Sequence, residues 1–232
     1  MRSSPRDISV EELTLRRGGR RLFSRLGFRA EPGDVVLLRG PNGCGKSTLL
    51  RCLAGLLPID EGRVVVGGIS LAEDREGVQE QLAYAGHLDA VKAPMTVAEN
   101  LAFWSAAWGS GGDIAAALSR LGLDRIADMP AAYCSAGQKR RLGLARLLVA
   151  NRPVWLLDEP TVSLDAASVE VFASCVREHC AAGGVAVAAT HIDLGLDGTL
   201  TVAVDRFAPE DGEPAVQDAE TDDPFMSEGE WL

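Results

Sequence analysis

Apolar and polar positions change rhythm twice along this chain. Residues 8–15 alternate loosely, the period-2 mark of a strand with one buried face, and Gly18–Gly19 predicts a turn into a second strand over 22–28. Residues 34–39 (DVVLLR) form an unbroken apolar run, as in a strand covered on both faces. A helix is predicted over 47–55, then short strands over 63–66, closed by Gly67–Gly68, and over 82–85. From about Leu88 to Ala150 the pattern turns helical. Thr96 is placed to cap a helix, with Glu99 completing a capping box, and two more helices are predicted over 113–121 and 138–150. The buried-strand pattern returns at 154–157, 185–190 and 200–204, with a helix over 167–182 between the first two. Strands alternating with helices predict an α/β fold built on a mostly parallel sheet, with residues 88–150 as an inserted helical lobe. No internal repeat is visible.

Composition changes the picture in two places. The 232 residues carry a net charge of −10, but nine acidic residues and no basic one lie between Pro209 and Leu232. Without those nine charges the remainder stands at −1, so the acidity belongs to an acidic, Pro-rich tail over 207–232, expected to be mobile. Neither part has the basic face that nucleic acid requires. Of 23 basic residues only Lys46, Lys92 and Lys139 are lysine. The odd set Cys44, Cys52, Cys134, Cys175 and Cys180 follows no disulfide framework, which fits a reducing compartment. The first residues, MRSSPRDISVEEL, have no apolar core of a secretory signal, and no apolar run is long enough to span a bilayer, so a membrane role would belong to a partner.

The chemistry begins where the buried strand 34–39 ends. Gly40-Pro41-Asn42-Gly43-Cys44-Gly45-Lys46-Ser47 fits G-x-x-x-x-G-K-[ST] at every fixed position, with Thr48 following. The glycines let main-chain N–H groups converge on an anion, and the helix that follows adds its positive end. Lys46 brings a compact charge to the terminal phosphates, and Ser47 offers a hydroxyl to Mg²⁺. Cys44 lies inside this cradle, so its alkylation is expected to block ATP. The second buried strand, VWLLDE, ends in Asp158 and Glu159. Asp158 can orient Mg²⁺, and Glu159 can polarise the attacking water as general base.

The remaining motifs carry a family resemblance. Cys134-Ser135-Ala136-Gly137-Gln138, twenty residues before Asp158, resembles the signature sequence of ABC ATPases, with Cys134 and Ala136 at its variable positions. Ser163-Leu164-Asp165 is similar to that family's D-loop, and His191 to its switch histidine. All five motifs stand in the family's order across residues 8–206. The resemblance implies a P-loop ATPase core with an antiparallel β subdomain and an inserted helical lobe. It also implies a homodimer in which Ser135, Ala136, Gly137 and Gln138 of one subunit close over ATP held by the other, beneath integral membrane permease subunits. Two positions depart from the common pattern. His87 stands where most relatives have glutamine, and Arg17 where an aromatic residue stacks on adenine, so that stacking is either weakened or taken over by the guanidinium.

Those departures, with YAGHLDAVKAPMTVAENLAFW and THIDLGL, make the chain similar to the haem exporter ATPases of cytochrome c biogenesis. This implies a peripheral subunit on the cytoplasmic face of the inner membrane that powers haem export without binding haem itself. The run Cys175-Val-Arg-Glu-His179-Cys180 lacks C-x-x-C-H spacing and reads as core and surface of a helix. The alternatives are another small ABC transporter ATPase or a soluble ABC-type ATPase acting on nucleic acid. The latter is disfavoured by the single core and the acidic tail.

Overall fold

The structure, a computed structural model, describes residues 6–17, 20–191, 195 and 198–209. The expected turn at Gly18–Gly19 and the acidic residues 210–232 lie outside them.

A four-stranded antiparallel sheet takes up much of the first part of the chain, in the order β2-β1-β4-β5: β1 (Ile8–Arg17), β2 (Arg20–Ala30), β4 (Glu61–Val66) and β5 (Ile69–Ser70). The loose alternation of its first strand has a local cause. Ile8 and Val10 are buried, and after a register shift Leu13 and Leu15 are buried instead. The extra residue sits at Glu12, which adopts a left-handed φ of 47°. Arg25 does the same on β2 (φ 54°), moving burial there from Phe23 to Leu26. A β-bulge on each strand flips side chains to the other face, so a strict period-2 test fails where the pairing is sound. Gly62 is the only residue type that fits opposite the bulge, because a Cβ there would stand 2.6 Å from the carbonyl oxygens of Glu11 and Glu12.

The second sheet is parallel, in the order β6-β7-β8-β3-β9: β3 (Val35–Arg39), β6 (Leu82–Ala85), β7 (Val154–Asp158), β8 (Val185–Ala189) and β9 (Leu200–Ala203). Its unbroken apolar runs are explained by cover on both faces. Val36, Leu38, Val154, Leu156, Val185 and Val187 join the core shared with the antiparallel sheet and α1 (Lys46–Leu53). Their alternating neighbours Val35, Leu37, Trp155, Leu157, Ala186 and Ala188 face the other core, built with α3 (Val97–Ala107), α4 (Ile114–Arg120), α5 (Ala136–Ala150) and α6 (Ala166–Ala181). The short helix α2 (Arg75–Gln79), capped by Asp74, and the two-residue strand β5 were not anticipated, because five and two residues are too few to show a period.

Helix starts follow local side-chain chemistry. Thr96 caps α3 as expected: its hydroxyl accepts from Glu99 N (3.1 Å) while Glu99 Oε2 accepts from Thr96 N (2.8 Å). α5 begins at Ala136, two residues earlier than its apolar pattern suggests. Ser135 and Gln138 form a second reciprocal box there, at 3.2 and 2.8 Å. Such a cap is worth about 1 kcal/mol. Among the described residues no helix is long and apolar enough to cross a membrane.

The strand order places the chemistry. All strands of the second sheet run the same way, and β8 lies between β3 and β7. The carboxyl ends of these three strands therefore open on one edge, where α/β sheets bind ligands.

Candidate nucleotide site

The loop after β3 needs glycine at three places. Gly40, Gly43 and Gly45 have φ of 141°, 82° and 101°, all in the region that side chains resist. At Gly40 a Cβ would stand 2.7 Å from Cys44 Sγ and 3.0 Å from Asp205 Oδ1, and at Gly45 it would press on the Phe23 ring at 3.2 Å. Gly45 caps α1 with no side chain, in contrast to α3 and α5, whose first turns are closed by Thr96 and Ser135. The amino end of α1 thus keeps main-chain N–H groups directed into the loop for an external acceptor. Lys46, 7% exposed, folds back so that Nζ donates to Gly40 O (2.8 Å) and Pro41 O (3.0 Å), across the mouth of the cradle. Thr48 is buried behind it, and Cys44 is half-buried, packed against the core that the two sheets share.

The end of β7 meets this loop. Ser47 Oγ donates to Asp158 Oδ1 at 2.8 Å, although the residues are 111 positions apart. Asp158 is 2% exposed, and its other oxygen accepts from the Tyr84 hydroxyl of β6 at 3.4 Å. Burial, and then the Asp158 charge, push the Tyr84 phenol above its usual range, so it stays a donor. A serine hydroxyl and a buried carboxylate at hydrogen-bond distance are an oxygen donor set suited to a small hard cation, and they fit Mg²⁺.

Glu159 takes a left-handed backbone (φ 46°), fixed by its N–H to Ala189 O at 2.8 Å. Two residues beyond β8, His191 Nε2 lies 2.8 Å from Asn42 Oδ1 and 3.4 Å from Glu159 Oε1. Both neighbours are acceptors, so Nε2 carries the proton in this arrangement. The histidine bridges the tip of the glycine loop to the second carboxylate. Arg39 Nη1 donates to Thr190 O (2.8 Å), tying the ends of β3 and β8 together beneath it.

The other expected residues are placed separately, each in its own setting. Asp165 caps α6 by accepting from Ser168 N at 2.7 Å, and that bond, then the Ser168 hydroxyl, holds its carboxyl below the usual range. Gly137 approaches the same loop so closely that a Cβ would stand 3.0 Å from Ser163 O. Ser135, Ala136, Gly137 and Gln138 form the first turn of α5, with Gln138 N already taken by Ser135. His87 is exposed in the loop after β6. Arg17 ends β1, exposed and in register with Arg20. Cys175 and Cys180 are buried in the helical-side core, while His179 stacks on Trp155 with centroids 3.9 Å apart.

Sequence reasoning passed over Arg140, Tyr84 and Asp89. Arg140 is 4% exposed, and its guanidinium reaches the main chain behind both carboxylates. A signal existed: it shares a helical face with Gly143, Leu144 and Leu147, a charge on an otherwise small and apolar stripe.

Comparison with known proteins finds relatives along most of the chain. Residues 23–162 match the family model described as ABC transporter. The chain is 51% identical over 219 residues to the cytochrome c biogenesis ATP-binding export protein CcmA of Cereibacter sphaeroides, covering 94% of this chain and 97% of that protein. It is 48% identical over 206 residues to the CcmA protein of Paramagnetospirillum magneticum, covering 87% and 95%. Among solved structures, the ATP-binding subunit of an ABC transporter superposes with a TM-score of 0.76 at 22% identity, covering 85% of this chain and 86% of that one. An ATP-binding cassette in its ADP conformation gives 0.70 at 22% identity, covering 86% and 88%. At that identity the structural matches speak for the fold alone.

Proposed function

The chain belongs to the ABC transporter family of ATP-binding subunits, on its CcmA branch, and from that premise we propose that it is the ATPase that powers haem export for cytochrome c biogenesis. The observation that carries the catalytic part is the meeting of the glycine loop, the Ser47–Asp158 pair and the Glu159–His191 pair at one sheet edge. Haem as cargo rests on the similarity to CcmA proteins along nearly their whole length.

In this reading Gly40, Pro41, Asn42, Gly43, Cys44, Gly45, Lys46, Ser47 and Thr48 wrap the triphosphate of ATP. Lys46 exchanges its two carbonyl partners for phosphate oxygens. Ser47 and Asp158 hold Mg²⁺, which when bound neutralises charge on the phosphates. Glu159 accepts a proton from the attacking water, and His191 turns its Nε2 proton from Asn42 to the γ-phosphate. The first turn of α5, Ser135 to Gln138, covers the nucleotide of a second copy, with Asp165 beside it. His87 lines the loop that faces the membrane partner. The catalytic unit is residues 8–206 with its helical lobe at 88–150, and 207–232 form an accessory tail. The working assembly is a homodimer on the cytoplasmic side of integral membrane subunits, and the chain itself carries no haem.

Co-purification tests this. The full-length chain with Glu159→Gln, extracted from membranes with Mg-ATP, is expected to retain polytopic subunits identifiable by mass spectrometry, and cells lacking the chain are expected to accumulate c-type apocytochromes. Normal cytochrome c maturation in such cells overturns the cargo, and recovery with ribosomes or DNA overturns the transporter reading.

A further inference from the structure

We propose that Arg140 is a positioning residue for hydrolysis: its guanidinium clamps Glu159 in the backbone conformation that aims its carboxylate, and makes that conformation depend on where the His87 loop lies. The inference rests on the reading of Glu159 as general base.

A guanidinium has five N–H donors in one rigid plane and no acceptor. In Arg140 every one of them finds an oxygen. Nε donates to Pro160 O at 3.0 Å, and Nη2 to Asp158 O at 3.2 Å and Glu159 O at 2.7 Å. Nη1 donates to Gly86 O and to Asp89 Oδ1, both at 2.9 Å. One edge of the plane therefore grips three successive carbonyls around the catalytic carboxylates, and the other grips the loop on both sides of His87. Arg140 is itself anchored on α5, little more than one turn from the Ser135 cap.

The bond to Glu159 O matters because Glu159 has a left-handed φ that a non-glycine residue leaves unless it is held. Its N–H is fixed to Ala189 O on β8 and its C=O to Arg140, so the peptide groups on both sides of its Cα are pinned. The side chain at 24% exposure then has its direction set by the backbone. Space for the loop is made by Gly143, where a Cβ would stand 3.0 Å from the Asp89 side chain. His87 and Leu88, the latter 82% exposed, form the outward side of the gripped loop. A shift of that loop pulls Nη1, and the planar group transfers the pull to the carbonyls of Asp158 and Glu159. Lysine, with three donors on a point charge, cannot span both edges.

The test is steady-state ATPase kinetics and equilibrium binding of a fluorescent ATP analogue on the full-length chain. Arg140→Lys is expected to lower kcat roughly tenfold or more, with nucleotide affinity within about twofold. Asp89→Ala, which removes one partly buried partner and leaves the other bonds of Arg140 in place, is expected to lower kcat roughly threefold with the same unchanged affinity. The double variant is expected to be no slower than Arg140→Lys alone, since both act through one group. Should Arg140→Lys fail to fold, Asp89→Ala decides by itself. Wild-type kcat in Asp89→Ala, or a loss of affinity that matches the loss of rate, overturns the inference. Glu159→Gln measured alongside separates the two failures. Turnover persisting there sinks the general-base reading, whereas a dead Glu159→Gln beside a fully active Asp89→Ala sinks only the role of Arg140.

Discussion

Asp158→Asn separates what the buried carboxylate does for the fold from what it does for the nucleotide. The side chain is 2% exposed and makes contacts with the Ser47 hydroxyl at 2.8 Å and the Tyr84 hydroxyl at 3.4 Å. Asparagine keeps both. Its Oδ1 accepts from Ser47, and its Nδ2 donates to the Tyr84 oxygen. The main-chain carbonyl still receives Arg140. Removing a buried negative charge relieves desolvation, so the nucleotide-free protein is expected to melt within about 3 °C of wild type, the range of a surface-sized change of ~1 kcal/mol in a chain this long. The ligand response is where the charge tells. Nucleotide at a hundred times its Kd adds about 2.7 kcal/mol to the folded state, which for this length is roughly 5–11 °C. ATP with EDTA is expected to raise both proteins alike, through the loop and Lys46. The further rise on adding Mg²⁺ is expected in wild type and absent in the variant, with Mg-dependent hydrolysis lost. Differential scanning fluorimetry over an ATP series, with and without Mg²⁺, reads all of this. An equal Mg²⁺ increment in the two proteins refutes the assignment of Asp158 to the cation.

Further outcomes follow from other residues. Glu159→Gln keeps the backbone bonds to Ala189 and Arg140 and is expected to lower kcat about 10²–10⁴-fold while an ATP-bound dimer accumulates on size-exclusion chromatography; near-normal turnover counts against it. Alkylation of Cys44, whose sulfur lies where a Cβ on Gly40 would collide, is expected to abolish ATP binding and to be prevented by prior ATP; full ATPase activity after stoichiometric labelling at this cysteine decides against it. Burial lowers the folded-state pKa of His179, stacked on Trp155, below its ordinary 6.5. The unfolded chain then binds the extra proton first, so this contribution is complete above pH 6.5 and fades as pH falls toward the folded value. Melting curves between pH 5 and 8 are expected to show a fall on the acid side that His179→Gln lessens; the same slope in both proteins excludes His179 as its source.

What the sequence determined by itself is whatever local chemistry enforces. Gly40, Gly43 and Gly45 take positive backbone angles that a side chain of their own would resist, and Thr96 with Glu99 closes its own helix, so spacing alone exposed the cradle and the cap. Continuous apolar runs exposed strands covered on both faces. Tertiary structure decided the rest, because it depends on which distant segments meet. The sheet order sets Asp158 beside Ser47 across 111 residues, and His191 between Asn42 and Glu159, a juxtaposition that no spacing encodes. The bulges at Glu12 and Arg25 hid the first hairpin's alternation, since an extra residue on one strand has meaning only against its partner. Arg140 stayed invisible for the same reason. A guanidinium's value lies in acceptors, and all five of its acceptors come from chain segments that only folding brings around it.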